Sequence, residues 1–172
     1  INYLSNGRYC SLISQVGGGF SFYLDHRHHG VLRREMRQAT DDLPARLWYL
    51  REGDECWTVN AHPINRFDAF EAAHSFGRTS LQSSYKEVLA DAEWFVGPAV
   101  DGEFAILTLT NTSARERTLS LFSYQEFILG SFDEDSRERT FAHLFIQARR
   151  TGQTIDFVSD RWSLTDDFRG NS

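Results

Sequence analysis

A chain of 172 residues, 41% hydrophobic and 24% charged, is long enough for one domain with its own core and too short for a large multidomain enzyme. No apolar run reaches the length of a membrane span, and a formal net charge of −6 without a dense basic run excludes the basic face that nucleic-acid modules carry. Aromatic residues at 14% against only 3 prolines lean the composition towards β-structure.

In chain order, the stretch INYLSNGRYCSLISQVGGGFSFYLDHRHHG sets Gly17, Gly18 and Gly19 between two alternating runs. In the second run Phe20, Phe22 and Leu24 face one way, with Ser21 and Tyr23 opposite. A phosphate-binding loop would open onto a helix and close with Lys-Ser or Lys-Thr. Neither follows here, so a tight turn or bulge between strands is expected. In DHRHHG, His26 and His28 share a side of the extended chain and Asp25 offers an oxygen, a start on a zinc or nickel shell. Nothing local completes that shell, and His62 and His74 stand in unrelated contexts. Hydrogen-bonded or solvated turn histidines, with no metal, are expected.

Further on, ARLWYLREGDECW reads as a hairpin turning at Glu52 to Asp54, with Trp57 on its second arm. YKEVLADAEWFV puts Val88, Ala90, Ala92, Trp94 and Val96 on one face, and an Asp-Gly turn in PAVDGE leads into EFAILTLT as a second hairpin. NTSARER is a polar connection. Its Asn111 to Ser113 triplet matches a glycosylation pattern, but with no sign of secretion a turn held by its own backbone hydrogen bonds is expected. TLSLFSYQEFIL alternates Leu119 and Leu121 with Ser120 and Phe122 and is predicted to be a central strand buried on both faces. FAHLFIQARR suits a strand better than a helical turn, and QATDD could cap something short. The whole chain, residues 1–172, is thus predicted to be one many-stranded antiparallel sandwich.

Chemistry is less legible. Cys10 and Cys56 form no C-x-x-C pair, which fits a reducing compartment and places the protein in the cytoplasm, while the start at Ile1 leaves an upstream segment open. No G-x-S-x-G or protease-like cysteine context marks a nucleophile. Glu126 stands out in FSYQEFIL, where an unpaired charge would be costly. It should pair with an arginine or face a cleft.

The order of these pieces resembles a known family. INYLSNGRYCSLISQVGGGFSFYLDHRHHGVLRRE is similar to the start of the cellobiose phosphorylase group, glycoside hydrolase family 94. RLWYLREGDECWTVNAHPI resembles its strand-turn-strand ahead of a Trp…Pro segment, and LTNTSARERTLSLFSYQEFILGSF its "LTN.S...R.L.L.SY.EF.L" signature. The stretch SFDEDSRERTFAHLFIQ also resembles cyclic β-1,2-glucan synthases and related oligoglucan phosphorylases.

The resemblance implies a mainly β fold, an antiparallel super-β-sandwich of the galactose-mutarotase-like kind. This chain would be an incomplete fragment of it, ahead of a helical linker and an (α/α)6 barrel that carries the catalytic acid and the phosphate site. The implied activity is that of an inverting glycoside phosphorylase in which inorganic phosphate is the co-substrate and no cofactor is used. It acts on a β-linked glucoside or oligosaccharide, and the chain shapes the acceptor side and a homodimer interface. No catalytic residue is expected here, and the chain alone is expected to be inactive. The family's Gln-Arg-Asn segment, whose arginine reaches the acceptor sugar, has its nearest match at Glu138, Arg139, Thr140 and Phe141. Arg139 fits. Glu138 and Thr140 depart from amides that would hydrogen-bond sugar hydroxyls, which leaves the particular sugar open. Two other readings stand beside this one. A free-standing carbohydrate-binding module would expose Trp48, Trp57, Trp94 and Trp162 in a groove, and a structural dimerisation domain would have no turnover.

Overall fold

The computed structural model describes residues 1–33 and 45–159, except the side chains of Arg139 and His143. QATDD and Trp162 lie outside the described residues. In chain order the strands are β1 (Asn2–Ser5), β2 (Tyr9–Ile13), β3 (Gly19–Tyr23), β4 (Gly30–Leu32), β5 (Arg46–Glu52), β6 (Glu55–Thr58), β7 (Ala69–Ser75), β8 (Arg78–Tyr85), β9 (Val88–Val96), β10 (Glu103–Asn111), β11 (Ser120–Gln125) and β12 (Phe127–Gly130). Two short helices follow, α1 (Phe132–Arg137) and α2 (Arg139–His143), and then the hairpin β13 (Ile146–Thr151) and β14 (Thr154–Ser159).

All pairings are antiparallel, in sheets ordered β1-β2-β3-β4-β12, β10-β9-β8-β7, β11-β5-β6 and β13-β14. This is the mainly β, antiparallel architecture that the alternation predicts. The main core follows from period two. Val88, Ala90, Ala92 and Trp94 form the inner face of β9, and they meet Leu50, Trp57 and Val59 from the β5–β6 arm with Leu4 and Ile13 from β1 and β2. Trp48 and Trp94 stack across the gap, their centroids 5.0 Å apart. A second, smaller core joins Cys10 and Phe22 to Ile128 and Phe132, so the five-stranded sheet is covered by α1.

The β5–β6 hairpin turns at Gly53 and Asp54, where Gly53 takes a φ of +59°, and β9–β10 pair from Val96↔Glu103 to Val88↔Asn111. Both hairpins stand where the sequence puts them. The glycine run is a turn between β2 and β3, with positive φ at Gly17 and Gly19. A β-carbon on Gly19 would lie 1.9 Å from the carbonyl oxygen of Leu12, so only glycine lets the backbones approach this closely.

Three expectations are corrected. TLSLFSYQEFIL is not one central strand. It breaks at Glu126 into β11 and β12, which belong to different sheets, and β11 is an edge strand among the described residues. In FAHLFIQARR the first part is α2 and only the second is strand, because Ala142 tucks inward while Phe141 and Leu144 stay exposed at helical spacing. Leu24 does not share a face with Phe20 and Phe22, since its φ of +59° takes it out of β3 and leaves it exposed.

Candidate functional site

Glu126 occupies a corner. Its N–H donates to the carbonyl of Ala45 at 2.8 Å, beside β5, and its carbonyl accepts from the N–H of Arg33 at 2.9 Å, just past β4. The chain therefore changes sheets at this one residue, a device by which sandwiches make corners. The same backbone geometry brings Arg33 under the Glu126 side chain. Arg33 Nη1 donates to Glu126 Oε2 at 2.8 Å, and Nε and Nη2 donate to the two carboxylate oxygens of Asp135 at 2.9 and 2.7 Å. Arg33 is 3% exposed and Asp135 6%. The planar guanidinium fork meets a carboxylate in the paired geometry that gives the strongest charge-assisted bonds. The other oxygen of Glu126, Oε1, accepts from the Tyr124 hydroxyl. Burial, and then the adjacent carboxylate, push that hydroxyl's pKa up to about 12, which keeps it a donor.

Asp135 belongs to α1. Ser131 caps this helix by accepting from the Glu134 N–H, and Phe132 anchors it edge-on against Phe20 at 5.4 Å. At Glu138 the backbone leaves the helical region and α2 begins at once. The Arg33–Asp135 clamp thus fixes the base of a helical excursion that carries the predicted triad. Glu138 and Thr140 are exposed on it, and Arg139 opens α2. Beside the clamp lies a depression of about 440 Å³ lined by Arg33, Tyr124, Glu126, Phe127, Ile146 and Phe157, with Phe127 and Phe157 stacked at 4.2 Å.

Chemically this cluster holds and positions. Both oxygens of Glu126 are engaged by donors, so it is the arginine-paired carboxylate that its sequence context calls for. Its partners were not legible, because Arg33 and Asp135 are 102 residues apart and each stands among other charges of its own sign. A second, partly buried pair is illegible for the same reason: Arg46 Nη1 donates to Glu103 Oε2 at 2.7 Å and to Ser11 Oγ at 2.9 Å.

The remaining candidates are structural. Asp25 accepts from the Arg27 N–H at 2.9 Å and from His28, interactions that hold its carboxyl below the usual range, the backbone bond foremost. No group of three His, Cys, Asp or Glu able to hold a metal occurs among the described residues. Asn111 Oδ1 accepts from the Ser113 N–H at 3.1 Å, the local turn bond expected of NTS. Trp57 and Trp94 are buried, and the half-buried Trp48 stacks on Trp94, so these three pack into the core, with Trp48 and Trp94 also lining a cavity of about 310 Å³. No helix among the described residues is long and apolar enough to cross a membrane.

Comparison with known proteins gives a consistent picture. The family profile described as "Glycosyl hydrolase 94, supersandwich domain" matches residues 1–169. N,N'-diacetylchitobiose phosphorylase from Vibrio proteolyticus is 28% identical over 174 residues, covering 98% of this chain and 21% of the relative. Solabiose phosphorylase from Paenibacillus borealis is 29% identical over 83% of this chain and 19% of its own length. The cyclic beta-(1,2)-glucan synthase NdvB of Rhizobium meliloti (strain 1021) is 26% identical over 88% of this chain and 5% of its own. The chain spans about a fifth of the length of the two phosphorylases.

Proposed function

The chain belongs to the glycosyl hydrolase 94 supersandwich family, and from that premise we propose that it is the β-sandwich domain of an inverting glycoside phosphorylase, shaping the side of the active site that receives the acceptor sugar. In this reading inorganic phosphate attacks the anomeric carbon of a β-linked glucoside or oligosaccharide, while a carboxylic acid protonates the departing oxygen. Phosphate takes the place of the second carboxylate and its activated water. The product is a sugar 1-phosphate, and no cofactor takes part. The acid and the phosphate ligands belong to a helical-barrel domain outside these residues. Assembly as a homodimer enters from the resemblance, and a cytoplasmic setting accords with two unpaired cysteines.

The observation that carries the reading is the clamped helical excursion. A buried bidentate ion pair holds α1 against the sheet, and α1 leads directly into Glu138, Arg139 and Thr140. Exposed Phe141 and Leu144 on the same excursion offer an apolar surface to a neighbouring domain. A guanidinium at position 139 brings five donors in a rigid fork, suited to paired sugar hydroxyls. The burial of Trp57 and Trp94, with Trp48 half-buried against Trp94, favours this scaffold role over a free-standing binding module.

The test uses the intact enzyme. Arg139→Ala should raise the KM for the acceptor in the synthetic direction by tenfold or more, on the order of one lost charge-assisted hydrogen bond, with the melting temperature unchanged. Wild-type kinetics in both directions would remove Arg139 from the site.

A further inference from the structure

The turn DHRHHG joins β3 to β4, and Asp25 holds it closed. Its carbonyl accepts from the His29 N–H at 3.0 Å, and its carboxylate accepts from the Arg27 N–H at 2.9 Å and from the His28 ring. The Tyr23 N–H donates to the His29 carbonyl at 2.9 Å, where the two strands begin to pair. In this arrangement the Arg27 carbonyl reaches α1 and accepts from the Phe132 N–H at 3.2 Å. The first N–H groups of a helix find no partner within it, so the turn supplies one that α1 itself lacks.

The Phe132 side chain is seated by the same segment. Gly30 opens β4, is buried, and pairs with Gly130 of β12. A β-carbon at Gly30 would lie 2.3 Å from Ile128 Cδ1, 2.9 Å from Phe132 Cζ and 3.0 Å from the Gly130 carbonyl oxygen. Gly30 has no positive φ, so glycine stands here for room and not for backbone freedom. The ends of Ile128 and Phe132 occupy that room, and Phe20 closes the other side of the Phe132 ring.

We propose that Asp25 and Gly30 are positioning residues for the acceptor side of the active site: the β3–β4 turn and the space over Gly30 form a seat for Phe132, and the seat sets where the helical excursion places residues 138–140. The Arg33–Asp135 clamp grips α1 about one turn further on. One fixed point leaves a short helix able to tilt, and two define its axis. α1 runs from Phe132 to Arg137 and α2 opens at Arg139, so a shift at Phe132 is carried into residues 138–140. A displacement of about 1 Å far from the chemistry can cost an enzyme about a hundredfold, so a seat of this kind has leverage on the reaction. The inference rests on the reading that this excursion meets the acceptor sugar.

The test uses the intact enzyme, run in the synthetic direction with glucose 1-phosphate and the monosaccharide acceptor that the wild type turns over fastest. Gly30→Ala presses chiefly on two side-chain ends that can give way, so the protein should fold with Phe132 displaced. The acceptor KM should rise about tenfold or more while the KM for glucose 1-phosphate stays unchanged. The amides of Glu138 and Ala142, bonded to the carbonyls of Glu134 and Glu138, should exchange about tenfold faster or more. Asp25→Ala loosens the turn from the surface without touching the core and should move both readings the same way, by about threefold. A fall in kcat alone, or unchanged acceptor KM and exchange in both variants, would overturn the proposal. Arg139→Ala in the same assay separates the two ideas. If it raises the acceptor KM and the seat variants do not, the seat falls and the acceptor reading stands; if exchange quickens in the seat variants but neither they nor Arg139→Ala move the acceptor KM, the acceptor reading fails and takes the positioning role with it.

Discussion

Removing one partner of the Arg33–Asp135 pair is the sharpest perturbation of this fold. Asp135→Asn keeps shape and one acceptor but leaves a guanidinium that is 3% exposed with less compensation. Breaking a buried pair from one side costs about 3–5 kcal/mol, and because Arg33 keeps its 2.8 Å bond to Glu126 the lower end, about 3 kcal/mol, applies. For a unit of this size that is a fall in melting temperature of about 6–12 °C. Arg33→Met strands two carboxylates and should cost about 4 kcal/mol, whereas the double variant Arg33→Met with Asp135→Leu replaces the pair by apolar volume and should recover much of the loss. Urea unfolding of wild type, Arg33→Met, Asp135→Leu and the double variant gives the coupling energy, which recovery in the double variant requires to exceed the cost of the Asp135 single variant, about 3 kcal/mol. Single variants costing no more than about 0.5 kcal/mol, as exposed pairs do, or strict additivity in the double variant, would refute the reasoning.

Gly19→Ala should lower the unfolding free energy by about 3 kcal/mol or more, and the urea midpoint with it, since it adds backbone strain at a φ of +121° to a clash with the Leu12 carbonyl; an unchanged midpoint would show that the turn has another conformation. Tyr124 has a pKa raised to about 12, so it stays protonated in the folded protein while the unfolded chain ionises near ~10; its stabilisation is complete below that pH and is lost as pH rises towards 12. The deficit of Tyr124→Phe relative to wild type, measured by urea unfolding, should therefore shrink from pH 8 to pH 11, and a constant deficit would contradict the Glu126 contact. Treatment with a strong chelator should leave the melting temperature unchanged, and a fall restored by zinc would revive the His26–His28 site. Residues 1–172 expressed alone should release no sugar 1-phosphate from any β-linked glucoside, and release would place the acid within this chain.

Period-two alternation is enough to locate both hairpins and the inner face of β9, where buried and half-buried residues alternate along the strand. It failed at TLSLFSYQEFIL, where the apolar run is continuous but the chain changes sheets at Glu126. Both halves are apolar for their own reasons, and nothing local marks the corner. The helices were missed because α1 and α2 have only 6 and 5 residues, too short for a helical period to emerge. At the candidate site Glu126 was legible, since a lone carboxylate in an apolar run demands a partner. Arg33 and Asp135 were not, because that partner is chosen by topology over a separation of 102 residues.

The stacked indoles of Trp48 and Trp94 come from strands β5 and β9 of two different sheets, and they meet across the layer boundary at 5.0 Å. Two transition dipoles this close couple, so the pair should give the protein a circular dichroism couplet at the intense indole band that neither indole has alone. That couplet depends on the spacing and tilt of one sheet against the other and not on the content of strand. The sandwich therefore carries a built-in optical gauge of layer separation: loss of the couplet ahead of the strand signal would report sheets parting while each remains hydrogen-bonded within itself.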